Sequence, residues 1–351
     1  MQENIELYRT KIDKIDRAVI ELLAERKRLS EDIIRAKHEM NLPTEDLERE
    51  NEIIARLQRH AKDTLAPEFV MEIYRNIFRS AKAAFEEKKV CENDIFKEIK
   101  AKKILIAGPC AVESSEQIHT IAKELSEYGV KYLRGGTFKP RTSPDSFQGL
   151  GAPGIAFLER AAKEYGMYSV SEITGVYQLE QGFSKVDILQ IGSRNAMNFE
   201  LLKAVGRYTS AEQKPIILKR GFWMTIHEFL AAAEYIRSAG NGSVILCLRG
   251  IRTFEQIDSE FRFTPDLASI QEIKKLSDLP VIFDPSHSAG KAEFVLPLAK
   301  AAIDLGADGI IAEAHNKPDC ALSDAKQCVL PSEIGKLARY IENVNRANQA
   351  K

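Results

Sequence analysis

Ile104-Leu105-Ile106-Ala107-Gly108-Pro109-Cys110-Ala111-Val112-Glu113-Ser114 is a short apolar run stopped by Gly-Pro, with a thiol just beyond the stop. Such a run reads as a buried parallel strand that ends in a loop. Taken alone, the Cys is more often small apolar filler than a ligand. Seven further runs of the same kind follow at 132–134, 168–171, 187–191, 216–218, 244–248, 281–283 and 310–312. Helix-period segments lie between them, at 118–128, 155–165, 199–205, 226–239, 267–276 and 294–305. Eight strand–helix units in about 250 residues predict an α/β fold of the (β/α)8 TIM-barrel type. A doubly wound open sheet is the alternative, but the chain carries no glycine fingerprint for a dinucleotide.

Before residue 100 the chain changes character. It has no glycine before Gly108 and only Pro43 and Pro67 as breakers. Ile5, Ile12, Ile15, Val19, Leu22, Leu23, Leu29 and Ile33 recur at helical spacing. The unbroken pattern predicts a helix of about 55 Å, too long to cover its apolar stripe with two short partners. A helical homodimer is therefore expected, with pairing into a homotetramer left open. Pro43 stops the first helix, Thr44-Glu45-Asp46 starts a second and Pro67 opens a third. The expected domains are 1–88, all-helical, and 102–351, the barrel, joined by a linker at 89–101 whose Ile95, Phe96 and Ile99 pack on the barrel.

With 351 residues, 44% hydrophobic and 29% charged, there is ample material for a core. The net charge of −1 gives no general attraction to nucleic acid or membrane, so any anion site must come from local clustering of Lys and Arg. No apolar run approaches the roughly 18 residues of a membrane span, and the acidic start of the chain lacks a signal-peptide pattern. Five irregularly spaced cysteines (Cys91, Cys110, Cys247, Cys320 and Cys328) suggest reduced thiols in a cytoplasmic protein.

Barrel enzymes carry their chemistry at the C-terminal ends of the strands. Read in order, those ends hold Cys110, Arg134 with Lys139, Glu172, Arg194, Lys219, Arg249, Asp284 with His287, and Glu313. One Lys or Arg after a strand is usually a solvated loop residue. Five converging on one mouth form an anion pocket suited to phosphate and carboxylate. Cys110, His287, Glu313 and Asp324 form a second subset. Thiolate, imidazole and carboxylates together suit a divalent metal such as Mn, Fe, Co or Zn better than Mg or Ca.

These residues fall within motifs that resemble a known family. The motifs are Gly108-Pro109-Cys110, Leu133-Arg134-Gly135-Gly136-Thr137-Phe138-Lys139-Pro140-Arg141-Thr142-Ser143-Pro144, Gln190-Ile191-Gly192-Ser193-Arg194-Asn195, Leu218-Lys219-Arg220-Gly221, Leu248-Arg249-Gly250, Asp284-Pro285-Ser286-His287-Ser288 and Ala321-Leu322-Ser323-Asp324. They resemble 3-deoxy-D-arabino-heptulosonate 7-phosphate (DAHP) synthase of the compact type I beta form. The resemblance implies condensation of phosphoenolpyruvate with erythrose 4-phosphate, the first step of the shikimate pathway. It implies that Cys110, His287, Glu313 and Asp324 hold the metal, and that Arg134, Lys139, Arg194, Lys219 and Arg249 hold phosphoenolpyruvate. Arg141 and Thr142 would hold the sugar phosphate, with Asp284 on the same substrate. Lys139, Cys110 and His287 are the expected catalytic residues. The related 3-deoxy-D-manno-octulosonate 8-phosphate synthase has Lys-Ala-Asn-Arg where this chain has Lys139-Pro140-Arg141-Thr142, which favours the four-carbon sugar.

The first segment resembles the all-helical chorismate mutase, through Leu22-Leu23-Ala24-Glu25-Arg26 and Asp46-Leu47-Glu48-Arg49-Glu50. Charged residues on a long helix are usually solvated. The resemblance implies instead that Arg26, Lys37, Asp46, Arg49 and Glu50, with Arg9 of the partner chain, bind chorismate. In the third helix the family carries a Ser and, four residues on, a Gln or Glu. Aligned on Val70, Ile73, Tyr74, Ile77 and Phe78, this chain has Ala81 and Phe85 there; a shift by one residue offers Glu86. The expected protein is a bifunctional synthase and mutase. The alternatives are a monofunctional synthase whose helical part senses chorismate or prephenate and mediates dimerisation, and a helical interaction module on an unrelated barrel.

Overall fold

A computed structural model describes residues 2–39, 47–61, 64–86, 93–139, 145, 147–180, 183–254 and 263–349. The chain divides into two units, 1–90 and 91–351. No helix of the described residues is long and apolar enough to cross a membrane.

The second unit is a closed barrel of eight parallel strands in sequential order, which excludes the open-sheet alternative. The strands are β1 (Ile104–Gly108), β2 (Tyr132–Arg134), β3 (Tyr168–Ile173), β4 (Ile188–Ile191), β5 (Ile216–Lys219), β6 (Val244–Leu248), β7 (Val281–Phe283) and β8 (Gly309–Glu313). The barrel closes where β1 pairs with β8, from Ile104 opposite Gly309 to Gly108 opposite Glu313. That register puts the Cys110 loop beside the end of β8. Alternation along each strand splits the core in two. Ile104 and Ile106 face the interior with Val170, Ile188, Ile217, Ile245, Ile282 and Ile311. Leu105 and Ala107 face the outer helices.

The first unit holds α1 (Gln2–Glu39), α2 (Leu47–His60) and α3 (Pro67–Glu86). A short helix, α4 (Asp94–Ala101), opens the barrel unit. Asn93 caps it by accepting from the Ile95 N–H. Its Phe96 and Ile99 are buried in the interior cluster of the barrel. The expected linker thus contains a helix whose apolar face is part of the core; its first residues, 89–92, lie outside the described residues. The outer layer consists of α5 (Ser115–Glu127), α6 (Ala152–Glu164), α7 (Phe199–Thr209), α8 (Ile226–Arg237), α9 (Ala268–Leu276), α11 (Ala292–Asp304) and α12 (Pro331–Gln349), while the short α10 (Pro285–Ala289) directly follows the end of β7. Between β3 and β4 two 3-10 turns, Val176–Glu180 and Phe183–Lys185, take the place of a helix.

Candidate active site at the barrel mouth

Local rules place the donors. Gly108 ends β1 with φ +150°, and a Cβ there would lie 2.0 Å from the Arg134 carbonyl oxygen. Only glycine lets the β1 backbone approach β2 this closely, which seats Cys110 against Arg134. His287 lies in α10, directly after β7, and Glu313 is the last residue of β8. Asp324 lies in the loop beyond β8. One ligand-type atom from each of Cys110, His287, Glu313 and Asp324 falls within 4.8 Å of the others.

Asp284 organises the histidine. It caps α10, with Oδ1 accepting the His287 N–H at 2.9 Å, while Oδ2 is 2.8 Å from His287 Nδ1. The Nδ1 proton is thereby directed at the carboxylate and Nε2 is left bare toward the cluster. Nε2 lies 3.3 Å from Glu313 Oε1 and 3.9 Å from Asp324 Oδ2. Burial outweighs the neighbouring carboxylates and holds the imidazole below its ordinary value, which keeps it neutral. Burial and the Glu313 charge push the Cys110 thiol up. Burial works against ionised Asp284, but His287 and Lys219 hold it well below the usual carboxylate range.

The donor set fits a divalent cation. Cys110 Sγ lies 3.0 Å from Asp324 Oδ2, and buried Glu313 Oε1 accepts no hydrogen bond from the described residues. The cluster gathers a soft sulfur, an unprotonated ring nitrogen and two carboxylates around one point.

Cations surround it. Buried Arg134 reaches Glu313 Oε1 at 3.3 Å with Nη2, while its Nε and Nη1 have no hydrogen-bond partner among the described residues. Buried donors left bare in this way call for an anion. Lys139 Nζ donates to Cys110 Sγ at 3.0 Å and to the Cys110 carbonyl at 3.2 Å. Burial disfavours its charge, yet Cys110, Glu172 and Glu313 together hold the ammonium above its ordinary value. Lys219 ion-pairs with Asp284, and Arg249 donates to the His287 carbonyl at 2.8 Å. The Arg249 guanidinium lies 4.7 Å from the Phe222 ring and 4.4 Å from that of Phe263.

The fold therefore unites Cys110, Arg134, Lys139, Lys219, Arg249, Asp284, His287, Glu313 and Asp324. Arg194 is exposed in a 3-10 turn after β4, outside the buried cluster. Arg141 and Thr142 lie outside the described residues. Several participants were not singled out from sequence. Gln327 donates to Glu313 Oε2, the Ser286 Oγ accepts the Glu313 N–H at 2.9 Å, and Gln190 donates to Glu172 at 3.3 Å. Ser286 and Gln190 lay within recognised motifs; nothing in the pattern marks Gln327.

In the helical unit, Arg26 is half-buried over the rings of Tyr74 and Phe78, at 5.7 and 5.2 Å. Exposed Arg9 pairs with Glu6 at 2.7 Å, and exposed Arg49 with Glu52 at 3.0 Å. Lys37 is half-buried on α1 and Glu50 half-buried on α2. Asp46 and the side chains of Ala81, Phe85 and Glu86 lie outside the described residues.

Residues 84–350 match the model of the DAHP synthetase I family, and residues 8–85 match that of chorismate mutase type II. A phospho-2-dehydro-3-deoxyheptonate aldolase of Thermotoga maritima is 52% identical over 241 residues, 67% of this chain and 69% of that protein. A crystal structure of the Thermotoga maritima DAHP synthase superposes with a TM-score of 0.65 at 48% identity, covering 70% of each chain. A 2-dehydro-3-deoxyphosphooctonate aldolase of Desulfotalea psychrophila is 29% identical over 263 residues, 70% of this chain and 90% of that protein. The chain belongs to the DAHP synthetase I family and carries a chorismate mutase domain of type II at its N-terminus. By family, then, the barrel is a DAHP synthase and the helical domain a chorismate mutase.

Proposed function

We propose that the barrel condenses phosphoenolpyruvate with erythrose 4-phosphate to DAHP and phosphate, and that residues 1–88 convert chorismate to prephenate. Residues 102–351 carry the condensation, with 89–101 joining the two. The observation that carries the first reading is the contact between a four-donor cluster and buried Arg134, two of whose nitrogens have no partner among the described residues. Arg134, Lys139, Lys219 and Arg249, with Arg194 at the rim, hold the phosphate and carboxylate of phosphoenolpyruvate. Arg141 and Thr142 hold the phosphate of erythrose 4-phosphate, with Asp284 on the same substrate. Cys110, His287, Glu313 and Asp324 would hold a divalent metal (Mn, Fe, Co or Zn), which supplies Lewis-acid polarisation of the sugar aldehyde when bound. Carbon 3 of phosphoenolpyruvate bonds to the aldehyde carbon, water adds at carbon 2 and phosphate leaves. Lys139 is placed to give a proton to the forming alkoxide. The buried cations stabilise the anionic groups without reorganising during the reaction.

Phosphate release measured with phosphoenolpyruvate and each candidate sugar phosphate tests this reading. Faster turnover of arabinose 5-phosphate than of erythrose 4-phosphate would overturn it. In the helical domain, Arg26, Lys37, Asp46, Arg49, Glu50 and Glu86, with Arg9 from a partner chain, clamp chorismate in a compact conformer. Arg26 lying over Tyr74 and Phe78, and Ala81 and Phe85 in the third helix, favour a second reading in which the domain senses chorismate or prephenate and inhibits the barrel. Chorismate loss in the absence of the barrel's substrates separates the two. The assembly is a homodimer through α1, or a tetramer of two such dimers. The described cysteines are free thiols, which supports a cytoplasmic setting.

A further inference from the structure

Three of the four donors are fixed by the barrel itself. Cys110 follows β1, His287 lies in the helix directly after β7, and Glu313 ends β8. Asp324 is different. It stands well out in the loop after β8, and its φ of 54° is in the left-handed region that a non-glycine residue occupies at a cost. Such a residue keeps its place only if its surroundings hold it.

The base of that loop is closed by a bridge between Ala314 and Val329. There the His315 N–H donates to the Val329 carbonyl and the Val329 N–H to the Glu313 carbonyl, both at 3.0 Å. The returning arm is fixed where the Gln327 N–H donates to the Asp324 carbonyl at 3.2 Å. The outgoing arm is held from a different loop. The Leu322 N–H, close before Asp324, donates to Glu113 Oε1 at 2.7 Å.

Glu113 belongs to the β1 loop, which also carries Cys110, and it is anchored. Its N–H donates to Gln117 Oε1, and Gln117 Nε2 donates to the Ala111 carbonyl, each at 3.2 Å. Its other carboxylate oxygen faces His315 Nε2 at 3.7 Å. His315 Nδ1 accepts the Lys317 N–H at 3.0 Å, so in the neutral ring the proton sits on Nε2, the nitrogen nearer Glu113. Both side chains are largely withdrawn from solvent, Glu113 at 13% and His315 at 5% exposure. Glu113 therefore bridges the two loops whose donors, Cys110 Sγ and Asp324 Oδ2, meet at 3.0 Å.

We propose that Glu113 is a positioning residue that sets Asp324 in the metal-binding group by holding the Leu322 N–H. The inference rests on the metal reading of Cys110, His287, Glu313 and Asp324 given above. Partners of this kind, one bond removed from the ligands, typically change metal affinity about 10–100-fold.

The test is a Co2+ titration of the chelator-stripped full chain, read by the thiolate-to-cobalt absorption band that Cys110 would produce. Glu113→Ala should raise the Kd for Co2+ about 10–100-fold. Glu113→Gln still offers an oxygen to the Leu322 N–H and should retain most of the affinity. In an Asp324→Ala background, Glu113→Ala should cost nothing further, because nothing is left to position. Glu113→Asp keeps the charge but shortens the reach. It should reproduce the loss, and it replaces the alanine variant if that one does not fold. Unchanged affinity in both shortened variants overturns the proposal, as does equal damage in Glu113→Gln or an additive loss on top of Asp324→Ala. If the unaltered chain gives no band, the metal reading itself falls and this inference with it. A band that is lost in Cys110→Ser but kept in the shortened Glu113 variants sinks this inference alone.

Discussion

Lys139 Nζ lies within 3.2 Å of both the sulfur and the carbonyl of Cys110, and surrounding negative groups keep it charged. A charged donor in that position can protonate an alkoxide and also hold an anion. Lys139→Met should lower kcat of the condensation about 10²–10⁴-fold. Steady-state phosphate release checks this, with Co2+ affinity measured in parallel and expected to change far less. Gly108 makes a steric demand, since a Cβ would lie 2.0 Å from the Arg134 carbonyl oxygen at a φ unsuited to other residues. Gly108→Ala should cost more than about 2 kcal/mol, read as a lower midpoint of thermal unfolding. Cys247 lies inside the barrel, where burial pushes its thiol up to about 12. A raised thiol pKa means less thiolate at any lower pH, so at pH 8 only about one molecule in 10⁴ is reactive. Iodoacetamide at pH 8 should label exposed Cys320 and spare Cys247 in the native protein, as peptide mass mapping would show. Labelling of Cys247 should appear only as the pH is raised toward that value or the chain unfolds.

Helix α4 shows how an element escapes a reading by pattern. It is short, and its two buried side chains, Phe96 and Ile99, close the interior of the barrel. So short a segment has too few turns to show a convincing period, although Ile95, Phe96 and Ile99 were legible as packing residues. Ile99 is fully buried, so Ile99→Ala should destabilise the barrel by about 2–5 kcal/mol in denaturant unfolding. The strands were far more legible. A strand of a parallel barrel is covered on both faces, so its apolar run is nearly continuous and ends at a Gly, Pro or charged residue. The candidate site was legible wherever one of its residues sits at such an end, as Arg134, Lys219, Arg249 and Glu313 do. Gln327 and Glu113 were not, because their partners, Glu313 and Leu322, lie across loops that follow different strands or different parts of one loop.

On α1, Ile12, Ile15, Val19, Leu22, Leu29 and Ile33 are all exposed in the single chain. They follow one another at three or four residues, with one seven-residue step from Leu22 to Leu29, as in a helix–helix seam. An apolar stripe along so long a helix is costly in water, and the dimer proposed above would cover it with a second copy of α1. If that proposed dimer forms, the unaltered chain should sediment as a dimer at equilibrium and the Ile15→Lys, Leu22→Lys double variant as a monomer. The two activities should also separate cleanly. Cys110→Ser should abolish condensation while leaving the helical domain's chorismate conversion unchanged, as parallel assays on one preparation would show.

Periodicity and punctuation alone were enough to read the barrel, the three N-terminal helices and the set of side chains at the strand ends. They are local consequences of burial, because apolar spacing records which faces of each strand and helix meet the core. Convergence is another matter. That Cys110, His287, Glu313 and Asp324 approach within 4.8 Å depends on barrel closure between β1 and β8. That Arg134 keeps two nitrogens without a partner among the described residues while Arg194 lies exposed depends on where each loop turns. Charge balance, tautomer and thiol protonation follow from those distances and from exclusion of water, which no single stretch of sequence encodes.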